Sequence, residues 1–103
     1  MTVKYQVILK ISYIYILTNK NKSTLYIGVT SDLQRRIAEH NEGIGSKFTQ
    51  KYALKHLVYY EKFDNITEAI HREKQLKRWS RLKKEELIIK LNPDWEFLEK
   101  DYS

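Results

Sequence analysis

Residues 13–29 read Tyr13-Ile14-Tyr15-Ile16-Leu17-Thr18-Asn19-Lys20-Asn21-Lys22-Ser23-Thr24-Leu25-Tyr26-Ile27-Gly28-Val29. Two apolar runs, rich in β-branched and aromatic residues, flank a polar connector. That is the pattern of a hairpin, with strands over 7–17 and 24–30. Side chains alternate with period two along a strand, so Tyr13 and Tyr15 share a face. Taken singly, each tyrosine is explained by packing. Gly28 is more pointed, because a glycine inside a strand weakens it and often marks close approach of a ligand or backbone.

Outward from the hairpin, residues 54–63 read as a third strand and 32–41 as a helix. Ser31 and Gln34 have the spacing of a capping box, and Gly43 is placed to end that helix. A second helix is expected over 66–79, capped by Asn65 or Thr67, and a third from Ser80 to just before Asn92-Pro93. Strand, strand, helix, strand, helix, helix (β-β-α-β-α-α) predicts an α+β fold, a small three-stranded antiparallel or mixed sheet flanked by helices. With 103 residues and no repeat or linker, the chain is expected to be one domain over 1–103. The loop Asn41 to Lys51 carries Gly43, Gly45, Lys47 and Lys51; it reads equally as a phosphate contact or a plain connection.

Composition narrows the chemistry. With no cysteine, disulfides, thiolate zinc sites and cysteine nucleophiles are excluded. No apolar run approaches the roughly 20 residues of a membrane helix. The N-terminus lacks the pattern of a secretory signal, so a cytoplasmic protein without a membrane partner is expected. The net charge is +6, and it is localised. Between His71 and Lys84, seven basic residues (Arg72, Lys74, Lys77, Arg78, Arg81, Lys83, Lys84) face the single acid Glu73, which leaves the rest of the chain balanced. A concentrated basic segment is the footprint of a surface that meets phosphates; the alternative is a solvated helix face.

Three polar residues stand where apolar ones belong. On the first helix, positions 33, 36, 37 and 40 share one face, so Arg36 and His40 lie along the stripe of Leu33 and Ile37. Either both sit at its edge, or they line a polar cleft between helix and sheet. On the second helix, Glu73 points along the stripe of Ala69, Ile70 and Leu76. An unpaired buried carboxylate is costly, which calls for a metal ion, a basic partner such as Arg36, or an ion pair at the stripe's margin.

As an ensemble, Tyr13-Ile14-Tyr15, Tyr26-Ile27-Gly28, Arg36, His40 and Glu73 resemble the GIY-YIG nuclease family. The likeness is strongest to small single-domain bacterial members related to the nuclease module of the excision-repair endonuclease, and it covers about residues 12–95. Two departures stand out. The first motif reads Tyr-Ile-Tyr rather than Gly-Ile-Tyr, and Glu85 stands where many relatives carry an asparagine, with Asn92 further along the chain.

The resemblance implies a metal-dependent endonuclease that hydrolyses phosphodiester bonds in DNA. It implies catalytic roles for Tyr15, Tyr26, Arg36, His40 and Glu73. Glu73 would hold one Mg²⁺ or Mn²⁺ ion, since Mg²⁺ is often bound by one or two carboxylates with waters and substrate phosphate. Arg36 has the planar fork of donors that suits a scissile phosphate. Tyr15 would help to activate water, with Tyr26 and His40 in its hydrogen-bond network, and the proton acceptor among the three stays open. A phenol with a pKa of about 10 is a poor base unless nearby positive charge, from Arg36, the metal or Lys47, lowers it.

Lys47, Lys51, Arg72, Lys77, Arg78 and Arg81 are the candidate nucleic-acid contacts. Phosphate contacts carry no sequence information, so weakly specific or structure-selective cutting of branched or flapped DNA is expected, by a monomer or weak dimer. Two alternatives remain: a binding module of the same fold with little cleavage, and an interaction domain whose basic face meets an acidic protein.

Overall fold

The computed structural model describes residues 10–102. The apolar run around Tyr15 becomes β1 (Ser12–Thr18), hydrogen-bonded on one side to β2 (Leu25–Thr30) and on the other to β3 (His56–Phe63). Both pairings are antiparallel, so no strand gives the sheet mixed character. Residues 7–9 of the expected first strand lie outside the described residues. Lys10 and Ile11 are not extended into the ladder, and the strand instead continues to Thr18. Thr18 pairs with Leu25 and His56, and its hydroxyl donates to the Thr24 carbonyl across 2.8 Å. Asn19 closes the connector by accepting from the Ser23 and Thr24 amides, which keeps Thr24 out of β2.

β1 is covered on both faces, which is why it reads as a continuous apolar run rather than an alternation. On one face Tyr15 and Leu17 pack with Leu54, Leu57 and the α1 (Leu33–Asn41) residues Leu33 and Ile37. After α1 comes a short helix, α2 (Lys47–Lys51). On the other face Ile14 and Ile16 pack with Ile27, Val58, Tyr59 and the helices α3 (Ile66–Lys77) and α4 (Arg81–Leu91), which supply Ala69, Leu76 and Ile88. Each fully buried side chain of this size contributes about 1.5–3 kcal/mol. A 3₁₀ turn follows at Leu98–Tyr102. Among the described residues no helix is long and apolar enough to cross a membrane.

The helix ends largely follow their caps. Asn65 accepts from the Glu68 amide and Ser80 from the Lys83 amide. At α1 the cap is Asp32, which accepts from the Arg35 amide, and not Ser31. The reason is Thr30: its hydroxyl accepts from the Asp32 amide at 3.1 Å and turns the chain one residue later. Gly43, at φ +79°, ends α1 in the left-handed conformation, with its amide on the His40 carbonyl and the Ile44 amide on that of Glu39. The loop from Asn41 to Lys51 is therefore partly helical. Leu54 donates its amide to Thr49, which delays β3 to His56.

One irregularity organises the second face. The β1–β3 register shifts between Ile16 and Leu17, which pair with Tyr59 and Leu57 and leave Val58 as an extra residue. Such a bulge removes a ladder partner and re-aims side chains, and here Val58 and Tyr59 enter the same core. The Val58 carbonyl is taken up by the Asn92 Nδ2 group at 2.9 Å. That group also donates to the Glu96 carbonyl, and Asn92 Oδ1 accepts from the Glu96 amide. Asn92, almost fully buried, thus ties the end of α4 and the following segment to the bulge. Replacing it by alanine strands a buried carbonyl, so Asn92→Ala is expected to cost about 1–3 kcal/mol. Urea unfolding checks this; an unchanged midpoint would contradict it.

Candidate active site

Tyr15 sits in the middle of β1 with 1% of its surface exposed. Its cross-strand partner is Gly28. A Cβ built on Gly28 would collide with the Tyr15 phenol, at Cζ and the hydroxyl oxygen. The strand glycine thus makes room for a neighbouring side chain, and the phenol crosses β2 at that point.

The Tyr15 hydroxyl lies 3.3 Å from His40 Nε2. His40 is in the last turn of α1 and 4% exposed. It faces the sheet because it follows Leu33 and Ile37 on the same stripe. Tyr26, from β2, completes a triangle of rings with centroids 6.3 Å from Tyr15 and 6.0 Å from His40. Gly45 closes the cluster from the loop side, since a Cβ there would collide with the His40 ring and the Thr49 hydroxyl. His40 Nδ1 is buried without a hydrogen-bond partner among the described residues.

Arg36 stands one turn before His40 and pairs with Glu39 at 3.2 Å. Its charge reaches both Tyr15 and His40, and the Glu73 charge reaches Tyr15. The sequence-derived residues Tyr15, Tyr26, Arg36, His40 and Glu73 therefore gather around one phenol. Burial, reinforced by Tyr26 and Glu73, pushes the Tyr15 hydroxyl above its usual range against the pull of Arg36. Arg36 does lower it, as positive charge was expected to, but burial outweighs that pull. Burial and then Arg36 hold His40 below its ordinary value, with Glu39 opposing. At neutral pH the site contains a protonated phenol beside an uncharged imidazole.

Glu73, from α3, is half-buried and pairs with Lys77 at a long 3.5 Å. A single carboxylate is a ligand with which a hard divalent ion can keep water and substrate oxygens in its shell. Among the described residues no three His, Asp or Glu side chains gather into a metal cage.

The basic residues divide in two. Lys47 and Lys51 are exposed on α2, and Lys77 and Arg78 are exposed at the end of α3. Arg72 instead forks onto Glu61 with two bonds of 2.9 Å, donates to Gln75 and lies over the Trp79 ring, joining α3 to β3. Arg81 bonds Glu85 and the Lys22 and Ser23 carbonyls, fastening α4 to the β1–β2 connector. Each engages three of its five N–H donors within the fold. Glu85, at the position where many relatives carry asparagine, is engaged by Arg81, and Asn92 serves the bulge.

Sequence reasoning missed Phe48 and Tyr52. Phe48 stacks on Tyr26, with centroids 6.2 Å apart and planes 29° from parallel, and Tyr52 lies 4.8 Å from Phe48. Their i, i+4 spacing, interleaved with Lys47 and Lys51, was the available signal.

This arrangement matches known proteins at the level of family. The GIY-YIG catalytic domain family matches residues 11–86, and the chain belongs to that family of nucleases. It is 42% identical over 76 residues to a UPF0213 protein of Natronomonas pharaonis, covering 74% of this chain and 88% of the relative. A UPF0213 protein of Staphylococcus saprophyticus is 46% identical over 76 residues, covering 74% of this chain and 92% of the relative. The solution NMR structure of a UPF0213 protein from Bacillus halodurans superposes with a TM-score of 0.55 at 36% identity, covering 87% of this chain and 95% of that one.

The lowered His40 value has a consequence for stability. The unfolded chain takes up a proton at His40 near pH 6.5, whereas the fold keeps the ring neutral until lower pH. The unfolded state binds more protons between those two values. This contribution to stability is therefore present above pH 6.5 and lost as pH falls through the lowered folded value. Thermal unfolding should weaken more steeply on acidification in the wild type than in His40→Gln. Parallel curves would contradict the assignment.

Proposed function

We propose that the protein is a metal-dependent endonuclease that hydrolyses phosphodiester bonds in DNA, with weak sequence specificity and a preference for branched or flapped structures. The observation that carries this reading is the Tyr15–His40 pair, a neutral phenol and a neutral imidazole in contact and flanked by Arg36 and Glu73.

In this reading Arg36 leaves Glu39 to hold the scissile phosphate through charge-assisted hydrogen bonds. A water in line with the phosphorus gives its proton to the Tyr15 oxygen as the Tyr15 proton passes to His40 Nε2. The phenol need never become a free phenolate, so its raised pKa is no obstacle. His40 accepts in the tautomer that carries its proton on Nδ1. Arg36 disfavours the resulting imidazolium and Glu39 offsets that, so the proton is held only transiently. Tyr26 packs against both rings and fixes their orientation. Glu73 would hold one Mg²⁺ or Mn²⁺, which when bound supplies charge neutralisation at the phosphoryl and leaving oxygens. Lys47, Lys51, Lys77 and Arg78 would meet the backbone on either side; Arg72 and Arg81 are assigned to the fold.

The test is cleavage of branched, flapped and plain duplex DNA in Mg²⁺, Mn²⁺ or EDTA by the wild type and Glu73→Ala. Cutting should require metal and fall at least about 100-fold in the variant. DNA binding should survive the substitution and weaken with salt. Undiminished cutting by Glu73→Ala would contradict the role of Glu73. Salt-sensitive binding with no cutting by either protein would make the chain a binding module of this fold.

A further inference from the structure

Phe48 lies on a five-residue helix and Tyr52 is its C-cap, yet these large aromatics are 47% and 40% exposed. The helix that carries them is fixed. Ser46 caps it by accepting from the Thr49 amide, Thr49 is buried with its hydroxyl on the Ser46 carbonyl, and Gln50 donates to the Gly45 carbonyl at 2.7 Å. Gly45 in turn abuts His40. The two rings are therefore held in place relative to the candidate site.

Ring contacts run without a break from inside to outside. Tyr15 and His40 meet Tyr26, Tyr26 stacks on Phe48, and Phe48 meets Tyr52 at the surface. Anything flat that stacks on Phe48 or Tyr52 is separated by two or three rings from the phenol assigned to water activation. The flanks are cationic, with Lys47 beside Phe48 in the chain and the Lys51 ammonium 5.3 Å over the Tyr52 ring. Flat aromatic rings with ammonium groups beside and over them match a nucleobase joined to phosphates. Aromatic platforms in positively charged grooves bind unpaired nucleotides without regard to sequence, because every base has a π-face. In continuous duplex those faces are already covered by neighbouring bases, and exposing one requires unstacking.

We propose that Phe48 and Tyr52 form a stacking platform for an unpaired nucleobase next to the scissile phosphate, and that this platform selects DNA with a single-stranded segment over continuous duplex. The proposal rests on the nuclease reading for what the platform adjoins, but it is tested by binding alone. Its selectivity comes from base stacking rather than from groove readout, so it favours a structure and not a sequence.

The experiment uses the full chain in EDTA, where cutting does not complicate binding. The probes are a flapped DNA with 2-aminopurine at successive unpaired positions and the matching continuous duplex. The wild type should bind the flap more tightly and change the 2-aminopurine fluorescence at one or two positions beside the junction. Phe48→Ala should lose at least about fivefold in flap affinity, keep its duplex affinity and abolish the fluorescence change. Phe48→Leu keeps an apolar side chain against Tyr26 but has no aromatic face, and should behave like Phe48→Ala. Phe48→Trp should restore flap binding.

Wild-type-like flap binding by Phe48→Leu would overturn the platform and leave Phe48 as packing for Tyr26. Equal loss on flap and duplex would also overturn it while leaving the nuclease reading intact, and no preference in the wild type would overturn it together with the preference for flapped structures, leaving the hydrolytic activity itself untouched. Selective loss in Phe48→Ala, with cleavage absent under every metal, would uphold the platform and remove the nuclease reading. A wild type that binds neither DNA would remove both.

Discussion

The Tyr15 phenol is buried in the central strand, and its hydroxyl must still find a polar partner. Burying an unpartnered hydroxyl costs about 1–3 kcal/mol, and the solution is His40, 3.3 Å away. Much of the local architecture follows from that contact. Gly28 leaves space for the ring as it crosses β2, Leu33 and Ile37 fix the face of α1 that carries His40, and Gly45 lets the following loop close behind the imidazole. The contact also couples structure to chemistry. Burial that protects the pair keeps the phenol protonated and the imidazole neutral, the state that the proposed proton relay requires.

A second division of labour separates binding cations from structural ones. Arg72 and Arg81 lie in the basic run, but Glu61 and the Lys22 and Ser23 carbonyls take up their donors. Arg72 holds α3 to β3, and Arg81 holds α4 to the β1–β2 connector. Lys47, Lys51, Lys77 and Arg78 are exposed on α2 and at the end of α3. Charge counted along the chain therefore overstates the charge available to a phosphate backbone.

The hairpin, the order of elements and the caps at Asn65 and Ser80 were legible because each rests on local pattern: alternation, turn residues or a capping side chain. Gly43 was legible for the same reason. The stripe positions of Arg36, His40 and Glu73 followed from helical period alone, which left open whether Arg36 and His40 line a cleft or sit at the stripe's edge. What was hidden is non-local. The Ser31 capping box gave way to Asp32 because the Asp32 amide donates to the Thr30 hydroxyl. The bulge at Val58 exists only in the β1–β3 pairing, and Asn92, which completes it, lies 34 residues away. Five residues of α2 are too few to show a period, and the partners of Arg72 and Arg81 on other elements stand 11 to 59 residues from them. The meaning of Gly28 was half legible: close approach was expected, but the approaching group is Tyr15 itself.

The most direct measurement is single-turnover DNA cleavage by Tyr15→Phe, with metal-ion and DNA affinity measured on the same protein. Phenylalanine keeps the ring over Gly28 and removes only the oxygen that faces His40. Loss of proton transfer should slow the chemical step by about 100-fold or more while both affinities stay as in the wild type. Cleavage at the wild-type rate would contradict the role given to Tyr15 and move the proton relay elsewhere in the cleft.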